Sequence, residues 1–365
     1  MSGGVDTRSV HRTRHLRRAG RWLVVMAIAA TVIVPILLGG REGLSATLHF
    51  SIQGYVAILA LIVASWFCRT LKLQLLLHRF AVRSHFAQML GISLATDFAF
   101  MTTPGGVGGY PASVYYLRRA GASASAATAV TAADQGMDVL FFVVALPLAG
   151  LSLLLSDALK SGTPQTLITI TFATSAAIVL VGIAALLARR RLGAWVAAFF
   201  SSHRWPRLRP VREAASAFLA TLRTDARLVY AGGPGFLSGI FVLTALQQLT
   251  RYGILWLALL LLGHPVSFLL TLLLQVFVLQ VATWTGVPSG AGGAELGLGA
   301  TLGTWVPGPS LATALLLWRI ATLYVGLIAG AIAIALLARR GKRPADDADA
   351  AQPSRAVSNE GPLST

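Results

Sequence analysis

The feature that most constrains this chain is the recurrence of apolar runs close to twenty residues long. A helix of about 20 residues spans the hydrocarbon core of a bilayer, and a single soluble core could not cover so many such runs. The composition agrees, because 55% of the 365 residues are hydrophobic and only 12% are charged. The sequence therefore predicts an all-α polytopic membrane protein.

Six of the runs are long enough to be full transmembrane helices. They cover residues 22–39, 51–68, 125–151, 167–188, 236–262 and 311–337. Two weaker apolar segments, 86–101 and 266–285, each lead into a stretch rich in glycine and proline. The first run has no small-residue cleavage site with a soluble domain behind it, so it is predicted to be an uncleaved span.

The formal net charge of +17 is interpreted as a signal of membrane topology rather than of nucleic-acid binding. No basic surface domain with interleaved aromatic residues is evident, so nucleic-acid binding is not predicted. Most of the 30 Lys and Arg residues lie between the apolar runs, which favours cytoplasmic loops. These basic groups lie at 8–21, 69–83, 118–119, 189–227 and 339–355.

Placing every basic group in the cytoplasm constrains the two weaker segments. Residues 86–119 must then leave from and return to the cytoplasm, and residues 266–307 must leave from and return to the outside. Each segment becomes a re-entrant hairpin, and because the two enter from opposite faces they form an inverted repeat. The alternative is eight full spans, which would carry glycine-rich backbone across the hydrocarbon.

This topology divides the chain into five regions. They are a basic cytoplasmic N-terminus (1–21), a first transmembrane half (22–188), an Arg-rich cytoplasmic connector with interfacial helices (189–230), a second transmembrane half (231–338) and a disordered cytoplasmic tail (339–365). The predicted location is the inner, or cytoplasmic, membrane, with both termini in the cytoplasm.

The two Gly-Pro stretches are candidates for a binding site. They contribute Pro104, Gly105, Gly106 and Gly108 in the first half, and Pro288, Gly290, Gly292 and Gly293 in the second. Glycine at this density is unfavourable inside a helix but suits a tight turn whose free amides face a cavity. The helix that begins after such a turn attracts anions such as a lipid phosphate. The alternative interpretation is close helix packing through small residues.

Ionisable residues at membrane depth are the second group of candidates, because each must be paired, neutral or wet. They are Asp97, Asp134, Asp138, Arg251, Glu295 and Arg319. Asp134 and Asp138 lie four residues apart on one helical face, with Arg251 and Arg319 as their expected counter-charges. Glu295 falls in the first turn after the second stretch, where it is expected to cap the free amides when no anion is bound. A structural salt-bridge set and a polar pathway for a phosphate both fit these residues.

No catalytic residue, metal site or cofactor is predicted. Cys68 is the single cysteine, and the seven histidines show no metal-ligand spacing. Ser289 lies beside glycines, but no histidine is evidently placed to activate it. The protein is therefore not expected to be an enzyme.

Taken in order, these motifs resemble the lysylphosphatidylglycerol synthase transmembrane, or flippase-like, family. The family's first signature is a Pro-Gly-Gly-x-Gly turn, a helix with an arginine, matched by Arg118, and a span with an aspartate, matched by Asp134. Its second is a Pro-x-Gly-Gly-x-Gly-x-x-Glu-like turn and a span with an arginine, matched by Glu295 and Arg319. The resemblance runs from the first span to the last. One departure is Gln135, where the family has an arginine, so the charge pairing of Asp134 must be made elsewhere.

The resemblance implies movement of a phospholipid or a related lipid-linked anion between leaflets. Its partners would be membrane lipids, either an anionic phospholipid or a polyprenyl-phosphate-linked lipid. It does not imply lipid aminoacylation, because that chemistry belongs to a soluble synthase domain and no soluble stretch here is long enough to be one. Still open are a homo-oligomer, a non-transporting partner of a cell-envelope enzyme, and a proton-coupled transporter of a small solute using Asp138 or Glu295.

Overall fold

The computed structural model describes residues 29–155 without 41 and 44, residue 180, and residues 220–340 without 223. Within these ranges the chain is helical and has no strand, which confirms the all-α prediction for this part of the chain. Several predicted regions lie outside the described residues. They are the N-terminus (1–21), the start of the first span (22–28), the fourth span (167–188, apart from 180), the connector up to 219, and the tail beyond 340.

Besides helical residues at 42–43 and 45–48, the first described segment contains five helices. They are α1 (Ala29–Gly40), α2 (Ile52–His78), α3 (Phe86–Thr102), α4 (Gly109–Arg119) and α5 (Ala124–Leu155). A tight turn at Pro104–Gly106 separates α3 from α4, which pack against each other as a hairpin. Ser51 caps α2 by accepting the Gly54 amide at 3.1 Å, which satisfies one of the free donors at the helix start.

The second described segment repeats this order. Its helices are α6 (Ala220–Tyr230), α7 (Gly233–Leu261), α8 (Phe268–Trp284), α9 (Gly293–Leu302), α10 (Gly308–Arg319) and α11 (Val325–Arg340). A second tight turn, Pro288–Gly290, separates α8 from α9. A π-helical turn, Ile320–Tyr324, joins α10 to α11 within one long helix.

Helices α2 and α7 form the central pair of the fold and run antiparallel. Ile58, near the start of α2, shares an apolar cluster with Ile254, near the end of α7. Leu76, near the end of α2, shares the other large cluster with Ile240, near the start of α7. Between them the Ser65 hydroxyl donates to the Gln247 carbonyl at 3.1 Å. Each end of this pair therefore packs against a different hairpin.

The contacts between the two segments are reciprocal. Helix α3 of the first hairpin packs against α11, the last helix of the second segment. Helix α8 of the second hairpin packs in the same way against α5, the last helix of the first segment. The two tight turns also contact each other. This is the contact pattern of two similar halves that exchange their last helices.

Three helices are long and apolar enough to cross a membrane, counted over the residues that the structure describes: Ile52–His78, Ala124–Ser152 and Gly308–Arg339. A fourth is added if α6 and α7, which meet at 89°, count as one bent span. These elements coincide with the predicted spans 51–68, 125–151, 311–337 and 236–262. The total of six spans and the re-entrant course of the hairpins remain predictions.

The predicted end of the second span is wrong. The basic group at 69–83 was expected to follow the membrane span, but α2 continues without a break to His78. Arg69 and Lys72 are buried inside the fold rather than placed in a loop. The helix continues because Arg, Leu, Lys and Gln are all good helix formers, and because acidic residues from neighbouring helices neutralise the two cations.

Candidate functional site

Two turns interrupt the hairpins, and we name them the first tip (Pro104–Gly106) and the second tip (Pro288–Gly290). Each begins with proline, which cannot continue the preceding helix because its nitrogen carries no hydrogen. The middle residue of each is left-handed, Gly105 at φ 61° and Ser289 at φ 53°. Glycine adopts that conformation freely and serine does not, so the second tip carries backbone strain that the first lacks.

The two tips lie against each other. A Cβ atom on Gly105 would be 3.8 Å from the carbonyl oxygen of Thr283, in the last turn of α8. Helix α3 also packs against the second tip, and α8 against the first. Two breaks that are far apart in sequence therefore share one location in the fold.

A buried ion pair borders the second tip. Arg319 Nε, at the end of α10, lies 2.5 Å from Glu295 Oε1, in the first turn of α9. The exposed fraction is 0% for Glu295 and 3% for Arg319, so this pair has little contact with water. Arg319 Nη1 donates a long hydrogen bond of 3.4 Å to the carbonyl of Ser289, and its guanidinium lies over the Trp318 ring. Arg319 thus connects α9, α10 and the strained residue of the tip.

The ion pair leaves hydrogen-bonding capacity unused. Among the described residues, Glu295 Oε2 meets no donor, and Oε1 meets Arg319 Nε in the ion pair alone. Arg319 Nη2 is buried and has no partner in the same part of the chain. A buried donor or acceptor without a partner costs about 1–3 kcal/mol, more if charged, so the arrangement is incomplete as it stands.

Free backbone amides lie at the same place. Among the residues that the structure describes, no acceptor meets the amides of Gly293, Ala294 and Glu295, which open α9. At the first tip Thr103 Oγ1 accepts the Gly108 amide at 2.9 Å, and the next two amides, those of Gly109 and Tyr110, also meet no acceptor among the described residues. A helix start carries partial positive charge and unsatisfied donors. The second tip therefore has a buried guanidinium and open amides side by side.

A second set of buried charges links α2, α3 and α5, and we name it the charge chain. Its members alternate in sign in the order Asp97, Arg69, Asp134, Lys72, Asp138. Arg69 pairs with Asp97 and lies 3.5 Å from Asp134 Oδ2. Lys72 Nζ lies 2.7 Å from Asp134 Oδ1 and donates to Asp138 Oδ1 at 2.9 Å.

These pairings correct two expectations. Asp134 and Asp138 were expected to pair with Arg251 and Arg319, but their cations are Lys72 and Arg69 of α2. Glu295 was expected to cap the amides of its own helix, but its carboxylate turns to Arg319 and no side chain caps α9. The physical reason is the same in both cases, since a buried cation attracts a carboxylate more strongly than partial charges do.

The missing arginine at position 135 has a counterpart in the other half. Gln135 and Arg319 follow Pro104 and Pro288 at the same distance in sequence, and each is the twelfth residue of its helix. The Gln135 amide donates only to the neighbouring Asp134, at 3.2 Å. The cations that pair with Asp134 therefore come from α2. Of the two equivalent positions, 135 and 319, the second carries a guanidinium and the first does not.

Two more predicted site residues lie apart from these clusters. Arg251 is half-buried in α7 and pairs with no carboxylate of the described residues. Arg118 is exposed in the last turn of α4, whose 11 residues place it about 15 Å from the tip end of that helix. Gly108 and Gly292 precede α4 and α9 directly.

Sequence reasoning missed Arg69 and Lys72 as site residues. A signal was present, since they lie three residues apart in an apolar stretch and so share a face of the helix. The same spacing argument had placed Asp134 and Asp138 together on α5. No three His, Cys, Asp or Glu side chains converge as metal ligands within the described residues.

Comparison with known proteins places these observations in a family. Residues 13–330 match the family described as the lysylphosphatidylglycerol synthase TM region. The chain is also 24% identical over 284 residues to a UPF0104 membrane protein of Archaeoglobus fulgidus, an alignment that covers 74% of this chain and 83% of the relative.

Proposed function

The chain belongs to the lysylphosphatidylglycerol synthase TM region family, and on this basis we propose that it is a membrane transporter that moves an anionic lipid between leaflets. The lipid is a phospholipid or a lipid-linked phosphate. Its headgroup phosphate binds where the two tips meet, and the protein contributes binding and passage rather than catalysis.

The observation that carries this proposal is the incomplete charge arrangement at the second tip. Within the part of the chain that the structure describes, Arg319 has a buried Nη2 without a partner, and the three amides that begin α9 meet no acceptor. A phosphate has several acceptor oxygens, and it accepts from a guanidinium and from helix-start amides together. Glu295 neutralises Arg319, and it is the counter-ion that a phosphate replaces.

Arg251 is the second cation that we assign to the pathway. Its helix, α7, packs against α10, which carries Arg319. Arg251 forms no ion pair with a carboxylate of the described residues. At membrane depth its guanidinium must then be hydrated or contact an anion, because exposure to hydrocarbon would cost several kcal/mol. A phosphate that leaves Arg319 would meet a second favourable position there.

Large apolar side chains beside the tips support a lipid substrate over a soluble one. Trp284 ends α8 next to the second tip and is 83% exposed, and Val107 follows the first tip and is 65% exposed. In a bilayer such side chains contact acyl chains. A lipid could therefore keep its tails among them while its headgroup enters between the tips.

We also propose that the two hairpins are re-entrant and enter from opposite faces, with both termini in the cytoplasm. The antiparallel α2–α7 pair and the reciprocal contacts of the hairpins support an inverted repeat. Non-helical backbone is tolerated at membrane depth where protein or a water-filled cavity surrounds it, and each tip is in contact with the other.

The transport experiment uses proteoliposomes with a fluorescent anionic phospholipid and measures how fast the label in each leaflet exchanges. Arg319→Ala should abolish protein-dependent exchange, because the phosphate then has no guanidinium at the tip. Arg339→Ala, which removes an exposed arginine at the end of the last helix, is the matched control and should exchange as the unmodified protein does. Exchange that survives Arg319→Ala in correctly folded protein would contradict the phosphate site.

The topology experiment uses single cysteines in a Cys68→Ala background, since Cys68 is the single cysteine of the chain. Val107→Cys is exposed beside the first tip, and Gly293→Cys lies beside the second, where a Cβ meets only ordinary contacts. A membrane-impermeant thiol reagent should reach Val107→Cys from the cytoplasm and Gly293→Cys from outside. Labelling of both from one side would contradict opposite entry.

A further inference from the structure

The charge chain lies outside the proposed headgroup site, and its charges do not balance. It holds three carboxylates (Asp97, Asp134 and Asp138) but only two cations (Arg69 and Lys72). Four of the five are buried, and Lys72 has no exposed surface at all. With all five groups ionised, the charge chain carries one excess negative charge. The protein interior penalises an uncompensated charge by several kcal/mol. One further positive charge would neutralise it.

A proton compensates this excess negative charge better than a metal cation does. A metal ion needs several oxygens that converge on one point, and no three acidic side chains do so in the described part of the chain. The carboxylates are instead separated by Arg69 and Lys72, which occupy the spaces between them. A proton needs only one carboxylate oxygen.

The proton belongs on Asp138. Asp97 and Asp134 are each held by Arg69, and Asp134 also lies against Lys72, so their ionised forms are well compensated. Asp138 is the last member of the charge chain, and its one ion-pair partner among the described residues is Lys72, which it shares with Asp134. Its side chain is 19% exposed, against 2% for Asp134 and 7% for Asp97, so of the three carboxylates it is the most open to proton exchange.

The other groups near Asp138 do not supply the missing charge. The charged groups that interact electrostatically with Asp138 are Lys72, Asp134 and Arg69. Asp138 also interacts electrostatically with Tyr252 of α7. Helix α8, which also packs on α5, has no ionisable residue in its sequence. Helix α4 meets the beginning of α5, where Ser113 and Thr131 share a hydrogen bond, and its arginines are exposed. Arg251 lies next to Tyr252, but it pairs with no carboxylate of the described residues.

We propose that Asp138 is a reversible proton-binding site and that its protonation drives the movement of the lipid. A proton from water adds to one carboxylate oxygen of Asp138, which becomes a neutral carboxylic acid. The charge chain then holds two carboxylates and two cations, and Lys72 pairs with Asp134 alone. Deprotonation returns the proton to water and restores the Lys72–Asp138 pair.

Helix packing connects Asp138 to the second tip. Lys72 and Asp138 join α2 to α5, and α5 packs against α8, the helix that leads into the second tip. Loss of the Lys72–Asp138 attraction loosens α5 from α2 and alters the surface on which α8 rests. This coupling rests on the proposed lipid transport, whereas proton binding at Asp138 does not.

The proton site is tested by infrared difference spectroscopy of the full-length protein in lipid, recorded as the buffer is made acidic. Unmodified protein should show the C=O band of one buried carboxylic acid, and Asp138→Asn should lose it. Glu42→Gln removes an exposed carboxylate and should keep the band. If Asp138→Asn does not fold, Asp138→Glu should shift the band instead. A band unchanged by either variant, or no such band in unmodified protein, would overturn the proposal.

The coupling is tested in proteoliposomes that contain a labelled anionic phospholipid, with and without a pH gradient. A gradient should speed exchange several-fold in unmodified protein and in Glu42→Gln. Asp138→Asn should lose the acceleration. Equal acceleration in Asp138→Asn would overturn the coupling. Absence of exchange in every protein, with the infrared band intact, would instead contradict lipid transport and the coupling that rests on it, and would leave the proton site standing.

Discussion

Arg319 Nε and Glu295 Oε1 lie 2.5 Å apart and join the helices on either side of the second hairpin's exit, α9 and α10. Both side chains are almost fully buried. Within the described residues, the one hydrogen bond of this pair is the long one that Arg319 donates to Ser289. The pair is therefore held mainly by charge.

Removal of one partner of this pair should destabilise the fold. Glu295→Gln leaves a buried guanidinium without a counter-charge, and we expect a loss of about 3–5 kcal/mol in the free energy of unfolding. The measurement is denaturant unfolding in mild detergent. Glu42→Gln, at an exposed position, is the control and should change the free energy little. A loss no larger than that control would show that another anion already compensates Arg319.

The charge chain should respond to paired changes differently from single ones. Lys72→Met leaves Asp138 without its cation and Asp134 with Arg69 alone, so we expect a loss of about 3–5 kcal/mol. Adding Asp138→Asn removes the uncompensated charge and should recover part of that loss. A double-mutant cycle by unfolding measures the coupling, and strictly additive losses would mean that the two residues do not interact.

The close approach of α11 to α3 depends on Gly330. A Cβ there would lie 2.6 Å from Phe98 Cβ and 2.8 Å from the Leu94 carbonyl oxygen, so Gly330→Ala must push the helices apart. We expect a loss of about 1–3 kcal/mol. The matched control is Gly239→Ala in α7, where a Cβ meets nothing within 4 Å and the change should be neutral or stabilising by up to about 1 kcal/mol. Similar effects of the two variants would refute the packing argument.

Ser289 should be improved by glycine. Its φ of 53° is left-handed, a conformation that costs an L-residue about 1 kcal/mol, and Ser289→Gly should regain about 0.5–1 kcal/mol. Arg319 contacts the Ser289 backbone carbonyl, which glycine keeps. Ser289→Ala retains the strain and serves as the control, since it should bring no gain. Equal unfolding free energies for the glycine and alanine variants would argue against strain at the tip.

The sequence predicted the helices well wherever the structure describes them. Runs of apolar residues near the bilayer thickness gave the long helices, and proline with glycine located both tips. These signals are local, because helix length and a break in the helix depend on residues adjacent in the chain. The least accurate boundary is the end of the second span, because the sequence predicts a basic amphipathic turn after Cys68 and the structure continues α2 to His78.

The site was predicted as a set of residues but not as a set of pairs. Glu295 and Arg319 were both selected, yet they were assigned other partners. Asp134 and Asp138 were placed correctly on one face of α5, while Lys72, which lies near both, was missed. A residue's sequence neighbours do not reveal which helix will lie opposite it, so the choice among several opposite charges could not be made.

What the sequence determined by itself is therefore a helical membrane protein with two glycine-rich breaks and a few charges that must be compensated. Only the tertiary structure decided that the two breaks meet, that Arg319 faces Glu295, and that α2 supplies the cations for α5. The reason is physical. Hydrophobic length acts within one helix, whereas compensation of a buried charge depends on distances of a few ångströms between helices, which the packing of all of them sets together.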